Sequence, residues 1–466
     1  MTLPNGTAAS YTYDAASQLT DISHQSTVNG PLSAFGYTYD RVGNRTMMAT
    51  SRTGAAVAPT LNYAYDTLYR LTQATRPLPA QPNETFTYDA VGNRLRRDGQ
   101  AADSVIGAGN RLLEDAEFTY TYDNNGNLIT KTQKSNGSVT RYAYDAENQL
   151  TRIDFPDGTN AQYRYDGLGR RIEKNVNGVI TRYLYDSEDI LLEFSGANQL
   201  AAGYIHGEEI DEPLIMERDL NASNSFDPTE RFIYHTDGLG SITDLTDSTG
   251  AVTQSYVYDS FGTIAASAGT LPNPYTYTAR ELDSESGLYY YRARYYDPRL
   301  GRFLSEDSLG LDPNWLLGLL GINLYVYVDN DSINFTDPLG TFKLPNDPSG
   351  LPPGWVPDPN DPRGRTFINP QDPGRRLRFD PGDPQSPNPY KRTNHCHDII
   401  PGGKRKEGRI HRFPGEEVPN PPGTNNNKPS GISFPLEGSP KGICPFIIIN
   451  PCLIVPHLCE DPGGLT

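Results

Sequence analysis

The sequence is poor in several residue types on which common architectures depend. It has 4 Met, 2 Trp and 4 Cys among 466 residues. Four Cys in a chain of this length do not predict a disulfide framework. No apolar run reaches about 18 residues, so no transmembrane helix is expected. Residues 1–10 also lack the charged-then-apolar pattern of a signal peptide. No dinucleotide, P-loop or Ser-His-Asp signature occurs, which disfavours the ordinary enzymes built on those motifs.

Tyr, Gly and Pro are plentiful, at 30, 44 and 39 residues, but they are unevenly spread. Of the Tyr residues, 29 precede residue 341, whereas 25 of the Pro residues and all 4 Cys follow residue 340. A chain of this length favours two or more structural units. The abrupt change in composition predicts a domain boundary near residue 340.

The charge distribution changes at the same place. Residues 341–466 hold 15 Lys and Arg against 13 Asp and Glu, which leaves 25 against 44 in the preceding part. A front part with a net charge of −19 disfavours wrapping by nucleic acid. The C-terminal part, at +2, neither supports nor excludes a nucleic-acid target.

An internal repeat dominates the part before residue 341. Its unit is Tyr or Phe, any residue, Tyr and Asp, followed by a short turn and an apolar residue. Successive units lie mostly about 20 to 26 residues apart, as in repeat architectures. The nine copies occupy residues 11–14, 37–40, 63–66, 86–89, 120–123, 142–145, 163–166, 183–186 and 256–259.

Each unit predicts a β-hairpin. Two Tyr separated by one residue share a face of a strand, and aromatic residues suit such a half-buried surface. Asp then starts a turn, in which we expect Gly-Asn to supply positive φ. One hairpin is not stable alone, whereas stacked hairpins form a continuous sheet. The fold class is therefore mainly β, and the repeated Tyr and Asp residues are interpreted as structural.

These units resemble the Rhs/YD-repeat family over residues 10–340. The resemblance implies a stacked β-hairpin sheet that forms a partial spiral shell, with a small Pro/Gly-rich C-terminal domain. Nine units are few for that family, which implies the C-terminal part of a longer protein. The predicted domains are the YD/Rhs repeats at 1–270, an Rhs repeat-associated core at 271–340 and a variable cargo at 341–466.

The core carries the first group of candidate site residues. Tyr-Tyr-Tyr-Arg-Ala-Arg-Tyr-Tyr-Asp-Pro at 289–298, Ser-Glu-Asp at 305–307 and Asp-Pro-Leu-Gly at 337–340 are similar to the Rhs repeat-associated core. The resemblance implies aspartyl-type self-cleavage after Gly340 by Arg294, Asp307 and Asp337. Two carboxylates can divide acid and base chemistry when their pKa values differ, and a nearby Arg keeps one ionised. The alternative is that Asp307 and Asp337 only cap turns.

The second candidate group lies in the C-terminal part. His395, His397, Asp398 and His411 stand among Lys and Arg residues. His can act as a base near neutral pH, and the cations could hold phosphate. This set faintly resembles compact cargo domains of the family and predicts a nuclease-like toxin. One alternative is a basic loop without chemistry. Another is zinc binding, for which the available ligands are His395, Cys396, His397, His457 and Cys459.

The leading functional hypothesis is an Rhs-type polymorphic toxin whose β-shell encloses a C-terminal toxin released near Gly340. The resemblance implies a cognate immunity protein, a secretion apparatus and a secreted or cell-surface location, with nucleic acid as the toxin's target. No cofactor is expected. The alternative is a non-enzymatic YD-repeat surface or adhesion protein with a Pro-rich tail.

Overall fold

The computed structural model describes residues 3–53, 60–76, 83–207, 210–307 and 323–341, and the backbone of five strands between residues 356 and 412. The chain divides into Met1–Glu416 and Glu417–Thr466, and the second unit lies outside the described residues. The described part is built of antiparallel strands, which confirms the mainly β fold class. Its regular helical segments are the 3-10 turns Ala108–Asn110, Pro228–Glu230, Tyr277–Ala279 and Val328–Asn330. None of the helices in these ranges has the length and apolar character needed to cross a membrane.

The first sheet joins eight strands in chain order, each antiparallel to the next. They are β1 (Thr7–Tyr13), β2 (Leu19–Ser26), β3 (Gly30–Tyr39), β4 (Arg45–Arg52), β5 (Thr60–Tyr65), β6 (Leu71–Thr75), β7 (Glu84–Tyr88) and β8 (Arg94–Arg97).

The second sheet joins sixteen strands, again in chain order. Its first half is β9 (Val105–Ile106), β10 (Leu112–Glu114), β11 (Phe118–Tyr122), β12 (Leu128–Gln133), β13 (Val139–Tyr144), β14 (Leu150–Asp154), β15 (Asn160–Tyr165) and β16 (Arg171–Val176). Its second half is β17 (Val179–Asp186), β18 (Asp189–Ser195), β19 (Leu200–His206), β20 (Pro213–Arg218), β21 (Arg231–Thr236), β22 (Ile242–Thr246), β23 (Val252–Tyr258) and β24 (Ile264–Ala268). The stacked-hairpin prediction is confirmed.

Two smaller sheets follow. The core sheet contains β25 (Glu281–Asp283), β26 (Leu288–Tyr291), β27 (Arg294–Asp297) and β28 (Arg302–Phe303). The C-terminal sheet contains β29 (Val356–Pro357), β30 (Thr366–Asn369), β31 (Asp372–Asp380), β32 (His395–Ile399) and β33 (Arg409–Arg412). The domain boundaries at 270 and 340 stay predictions.

The turn after Tyr-x-Tyr is organised by the Asp carboxylate in eight of the nine units; in the eighth unit Asp186 instead pairs with Asp189 at the end of the strand. In the second unit, Asp40 Oδ1 accepts the backbone N–H groups of Val42 and Asn44, both at 2.9 Å. Asp40 N–H in turn donates to the carbonyl of Asn44 at 2.9 Å. Asp89 and Asp123 repeat this pattern. The Asp therefore satisfies the backbone donors of its own turn, which is the structural role predicted for it.

Only part of the predicted turn chemistry is right. Gly43 takes a positive φ of 98°, as expected, but Asn44 does not. The Asn44 side chain instead donates to Asp40 Oδ2 at 2.9 Å, so Asn stiffens the turn through the carboxylate. Units without Gly force another residue into the left-handed region, and these residues are Ser17, Tyr69, Asn148 and Ser187.

The two aromatic residues of a unit have different roles. The first packs in the core in most units, as Tyr37, Tyr120 and Tyr163 show at 3–5% exposure, whereas Tyr11 of the first unit is 46% exposed. The second donates its hydroxyl hydrogen to a carbonyl of the preceding hairpin, as Tyr39 does to Leu19 at 2.6 Å. The same bond recurs from Tyr65, Tyr88, Tyr165, Tyr185 and Tyr258. In these six units the second Tyr thus ties the hairpin to the one before it, whereas the buried hydroxyl of Tyr144 has no hydrogen-bond partner among the described residues.

The core sheet packs against the second repeat sheet through buried aromatic rings and ion pairs. Arg171 of β16 is 1% exposed and reaches Glu281 and Asp283 of β25 at 2.9 and 2.5 Å. Its guanidinium also stacks on Tyr290 of β26, 4.4 Å from the ring centre. These contacts fix β25 and β26 relative to the repeats.

The first repeat sheet contacts the last strands of the second. Ser33 of β3 and Arg52 of β4 bind the carboxylate of Asp244 in β22 at 3.0 and 2.9 Å. The N–H group of Gly238, between β21 and β22, donates to Tyr37 Oη at 2.7 Å. More than 190 residues separate these partners along the chain.

Candidate functional site

Arg294, Asp307 and Asp337 meet in the core. Arg294 opens β27, Asp307 follows β28, and Asp337 follows the last 3-10 turn. Arg294 Nη2 lies 2.7 Å from Asp307 Oδ2 and 3.6 Å from Asp337 Oδ2. All three residues are more than nine-tenths buried. The structure therefore brings together the three core residues that the sequence singled out.

Two of these residues hold the two ends of one peptide bond. Arg294 Nε donates to the carbonyl oxygen of Gly340. Asp337 Oδ1 accepts the backbone N–H of Thr341 at 3.1 Å. That carbonyl and that N–H belong to the peptide bond between Gly340 and Thr341. The cation and the carboxyl group therefore address the carbonyl oxygen and the nitrogen of the same amide.

The turn between β26 and β27 holds the residues before that bond. Arg292 Nη1 donates to the carbonyl of Pro338 at 2.6 Å, and Ala293 N–H donates to the carbonyl of Leu339 at 3.1 Å. With Arg294 on Gly340, three consecutive residues bind three consecutive carbonyls. The segment lies along the turn in a fixed register and is bound through its main chain.

Gly340 is required by the backbone at this position. Its φ is +67°, a conformation that L side chains rarely adopt. A Cβ there would collide with the carbonyl oxygen of Tyr291 and lie 3.0 Å from the Tyr291 Cβ. The amide can approach Arg294 this closely only because residue 340 has no side chain.

Burial changes the acid–base behaviour of Asp337. Loss of solvent raises the pKa of this carboxyl group to about 7, with Arg294 opposing the rise and Asp307 adding to it. The group therefore exchanges its proton near neutral pH. Asp337 thus matches the requirement for a general acid working near physiological pH.

Further contacts fix the Arg294 guanidinium. It stacks on Phe303 of β28, with its central carbon 3.7 Å from the ring centre. Arg294 Nη1 also donates to the carbonyl of Leu324 at 2.8 Å. The guanidinium therefore contacts an aromatic ring, a carbonyl and two carboxylates. Rotation of the side chain away from the Gly340 carbonyl would break several of these contacts.

The C-terminal candidates lie on two paired strands. His395, His397 and Asp398 belong to β32, and His411 belongs to β33. Their backbones place His397 opposite His411 and Asp398 opposite Ile410. β31 pairs with β32 on the other side from β33. The catalytic role of these residues stays a prediction.

The zinc alternative is only partly covered by the structure. His457 and Cys459 lie outside the described residues. Within the ranges that the structure describes, no group of three or more His, Cys, Asp or Glu side chains is placed to hold a metal ion.

Sequence reasoning missed Arg292, and the reason is conformational. Arg292 has a φ of +53° in the turn, a backbone state that its residue type does not predict. Arg292 is two residues before Arg294, and this spacing could have suggested that the two side chains act on the same segment. Only the structure shows that both side chains reach the segment at 338–340.

Comparison with known proteins places this architecture in a family. Residues 54–333 match the family model described as the teneurin YD-shell. Among solved structures, one described as TcdB2-TccC3-TEV aligns with a TM-score of 0.56 and 23% identity, covering 72% of this chain and 18% of its own. This likeness supports the fold.

Curated relatives share the same region. The tRNA nuclease WapA of Bacillus subtilis is 32% identical over 309 residues, which cover 65% of this chain and 11% of the relative. Double-stranded DNA deaminase toxin A of Burkholderia cenocepacia is 27% identical, covering 65% and 22%. Toxin protein Tse5 of Pseudomonas aeruginosa is 29% identical, covering 66% and 27%. The chain therefore spans between about a tenth and a quarter of the length of these relatives.

The matched region includes seven of the nine repeat units and most of the core. These units form the hairpins of both repeat sheets, and the resemblance to Rhs/YD-repeat proteins is confirmed. The chain therefore belongs to the teneurin YD-shell family.

Proposed function

We propose that this chain is the C-terminal part of an Rhs-type polymorphic toxin, which cleaves itself between Gly340 and Thr341 and thereby frees the segment 341–466. The names of three relatives support the toxin assignment: a tRNA nuclease, a double-stranded DNA deaminase toxin and a toxin protein. These names favour a toxin over the non-enzymatic adhesion alternative. The delivery apparatus and a cognate immunity protein are part of this proposal.

The observation that carries self-cleavage is the placement of Arg294 and Asp337 on one amide. Arg294 Nε, donating to the Gly340 carbonyl, would stabilise the negative charge that develops on that oxygen. Asp337, which exchanges its proton near pH 7, would protonate the departing Thr341 nitrogen. The Asp307 carboxylate would take a proton from the attacking water.

The proposed reaction is hydrolysis, and its atoms balance. A water oxygen bonds to the Gly340 carbon while one water proton passes to Asp307. The carbon–nitrogen bond then breaks as Asp337 gives its proton to the nitrogen of Thr341. The products are a Gly340 carboxyl group and a Thr341 amine. Proton exchange with solvent restores the two Asp residues.

Purification of the full chain tests this reaction. We expect a denaturing gel and intact-mass measurement to show two fragments, the second beginning at Thr341. Asp337→Asn and Arg294→Ala should remain intact, because each removes one side of the amide contact. Asp154→Asn is the matched control, since Asp154 pairs with Arg152 on the repeat surface and should not affect cleavage. An intact wild-type chain, or unchanged cleavage in Asp337→Asn, would contradict the proposal.

For the freed segment we propose a nuclease activity carried by His395, His397, Asp398 and His411. The pairing of His397 with His411 across β32 and β33 supports grouping them. The test is expression of the full chain in a sensitive host, followed by growth measurement and analysis of cellular RNA and DNA. We expect growth arrest with degraded nucleic acid, lost in His397→Ala and in Asp337→Asn. Growth arrest with intact nucleic acid would exclude a nuclease.

A further inference from the structure

A small cavity that opens to solvent lies where the first sheet ends, the second begins and the core approaches both. Its wall is unusually basic, with five Arg residues and one acidic residue. The charged lining residues are Arg94, Arg96, Arg97, Arg299, Arg302 and Asp115. This cavity is separate from the site at Gly340, and neither the fold nor the proposed self-cleavage uses it.

Three of the five cations already have carboxylate partners. Arg96 contacts Asp103, Arg97 contacts Asp98 and Asp259, and Arg299 contacts Asp297. Arg96 and Arg299 are also about half exposed, at 44% and 53% of their side chains, so they stand at the mouth. Their charges are neutralised locally and do not require a ligand.

Arg302 has no carboxylate partner among the described residues. It is 8% exposed and lies over Tyr325, 4.6 Å from the ring centre. Its Nη2 donates to the carbonyl of Asn110 at 2.6 Å, but its buried Nε has no acceptor in the described part of the chain. A buried cation with an unsatisfied donor is costly unless an anion approaches it.

Arg94 is in the same situation. Its guanidinium lies over the rings of Phe86 and Phe261, 5.5 and 4.9 Å from their centres. One nitrogen donates to the carbonyl of Arg299, and the buried Nη1 has no acceptor within the described ranges. Burial lowers the pKa of both Arg94 and Arg302, and it outweighs the opposing attraction of Asp259 for Arg94 and of Asp89 for Arg302.

Asp115 does not compensate for these charges. Its Oδ1 accepts the N–H groups of Glu117 and Phe118 at 2.8 and 2.7 Å, and its Oδ2 accepts the hydroxyl of Tyr120 at 2.6 Å. Both oxygens are thus engaged within its own turn. Two positive charges in the cavity remain without an ionic partner in the part of the chain that the structure describes.

We propose that this cavity is a binding site for a phosphate-type oxyanion, held by Arg94 and Arg302. Guanidinium groups bind phosphate oxygens through parallel N–H donors, which suits two Arg with free N–H groups. A phosphate carries nearly two negative charges near neutral pH and would balance the two cations. Because Arg94 begins the last strand of the first sheet and Arg302 belongs to the core sheet, the bound anion would connect the two sheets.

The test is binding of inorganic phosphate to the full chain, measured by calorimetry and by thermal unfolding at constant ionic strength. We expect a saturable rise in Tm with phosphate beyond that produced by chloride, following the mass-action relation for a native-state ligand. Arg94→Gln and Arg302→Gln should each weaken binding at least about tenfold. Arg182→Gln is the control, because Arg182 pairs with Glu173 elsewhere on the second sheet.

Phosphate also stabilises proteins without binding, by exclusion from their surface. A linear, non-saturating rise in Tm that is equal in wild type and variants would therefore overturn the proposal. Arg302→Lys provides a milder variant, which keeps the charge but loses the planar fork and should bind with intermediate affinity. Phosphorus-31 NMR of phosphate with the wild-type chain gives a readout that does not depend on variant folding. Absence of protein-dependent line broadening at saturating phosphate would likewise overturn the site.

Discussion

Asp337 differs from most acidic residues of the chain because it retains its proton close to neutrality. Its carboxyl group is buried beside Asp307, and these surroundings raise its pKa to about 7 despite the contact with Arg294. In the unfolded chain the same group has its ordinary pKa near 4. Between about pH 4 and pH 7 the folded state therefore binds more protons than the unfolded chain, so this group lowers the free energy of unfolding as the pH rises through that range and adds no further change above it.

Cleavage is expected to depend on pH through this group. If protonated Asp337 supplies the leaving nitrogen with a proton, the cleavage rate should fall about tenfold per pH unit above pH 7. Pulse-labelled cell-free synthesis, chased at pH 6 to 9, would measure this rate. Circular dichroism at each pH would control for unfolding. A rate that stays constant across pH 7 would exclude Asp337 as the acid.

Gly340 permits a second prediction at the scale of a single residue. Gly340→Ala should reduce cleavage by about a hundredfold, because its Cβ collides with Tyr291 and displaces the amide from Arg294. Gly137→Ala is a matched control, since Gly137 also has a positive φ of 72° but open space where a Cβ would stand. Equal cleavage in the two variants, measured on a denaturing gel, would show that the close approach is not needed.

At the scale of the element, the turn between β26 and β27 links the repeats to the scissile segment. Arg292 binds the Pro338 carbonyl and also lies 2.8 Å from Asp211, in the connection between β19 and β20. Asp211 further binds Arg280 at 2.6 Å. Through Arg292, the position of residues 338–340 therefore depends on a loop of the second repeat sheet that is distant from them in sequence.

Arg292→Ala is expected to slow cleavage roughly tenfold to a hundredfold, because one charge-assisted hydrogen bond to the segment is lost. Arg292→Lys should recover part of the rate. Added guanidinium ion, far below denaturing concentration, should also restore Arg292→Ala in the cell-free assay, which a general loss of folding would not allow. Arg231→Ala, which breaks an ion pair with Glu217 elsewhere in the sheet, should cleave normally. Wild-type rates in Arg292→Ala would contradict this positioning role.

The elements themselves were largely predictable from the sequence. The alternation in residues 37–39 and its eight equivalents marks a strand, and Asp40 marks the turn. The motif resemblance also singled out Arg294, Asp307 and Asp337. By contrast, the role of Arg292 depends on its left-handed backbone, and the role of Asn44 depends on a side-chain bond to Asp40. Neither conformational choice follows from residue type alone.

At the scale of the whole molecule, buried ions join the core to the repeats. Burial raises the pKa of Asp283, but Arg171 and Lys174 outweigh it and hold that pKa below its ordinary value. Lys174 lies 3.0 Å from Asp283, so the carboxylate has two cationic partners. No local sequence pattern predicts these pairs, because about 110 residues separate Arg171 from its two acidic partners.

Arg171→Met is therefore expected to lower the free energy of unfolding by about 3 to 5 kcal/mol, since it leaves Glu281 and Asp283 buried with too little positive charge. Urea unfolding followed by circular dichroism would measure the change. Arg182→Met should cost less than about 1 kcal/mol, because its partner Glu173 lies in a more exposed pair. If Arg171→Met lowers the free energy of unfolding no more than Arg182→Met does, solvent must reach the interface between the core sheet and the repeats.

The register of the repeat hairpins has an evolutionary consequence. In all nine units the pairing shifts by one residue immediately before the second Tyr, as between Thr38 and Tyr39. Each hairpin thus contains its own one-residue shift in pairing, and the pairing of the neighbouring hairpins does not depend on it. Whole hairpins can consequently be duplicated or deleted without shifting the remaining strands, whereas a single-residue insertion within a strand would reverse the faces of its side chains. Gene length in this family should accordingly change in steps of one hairpin.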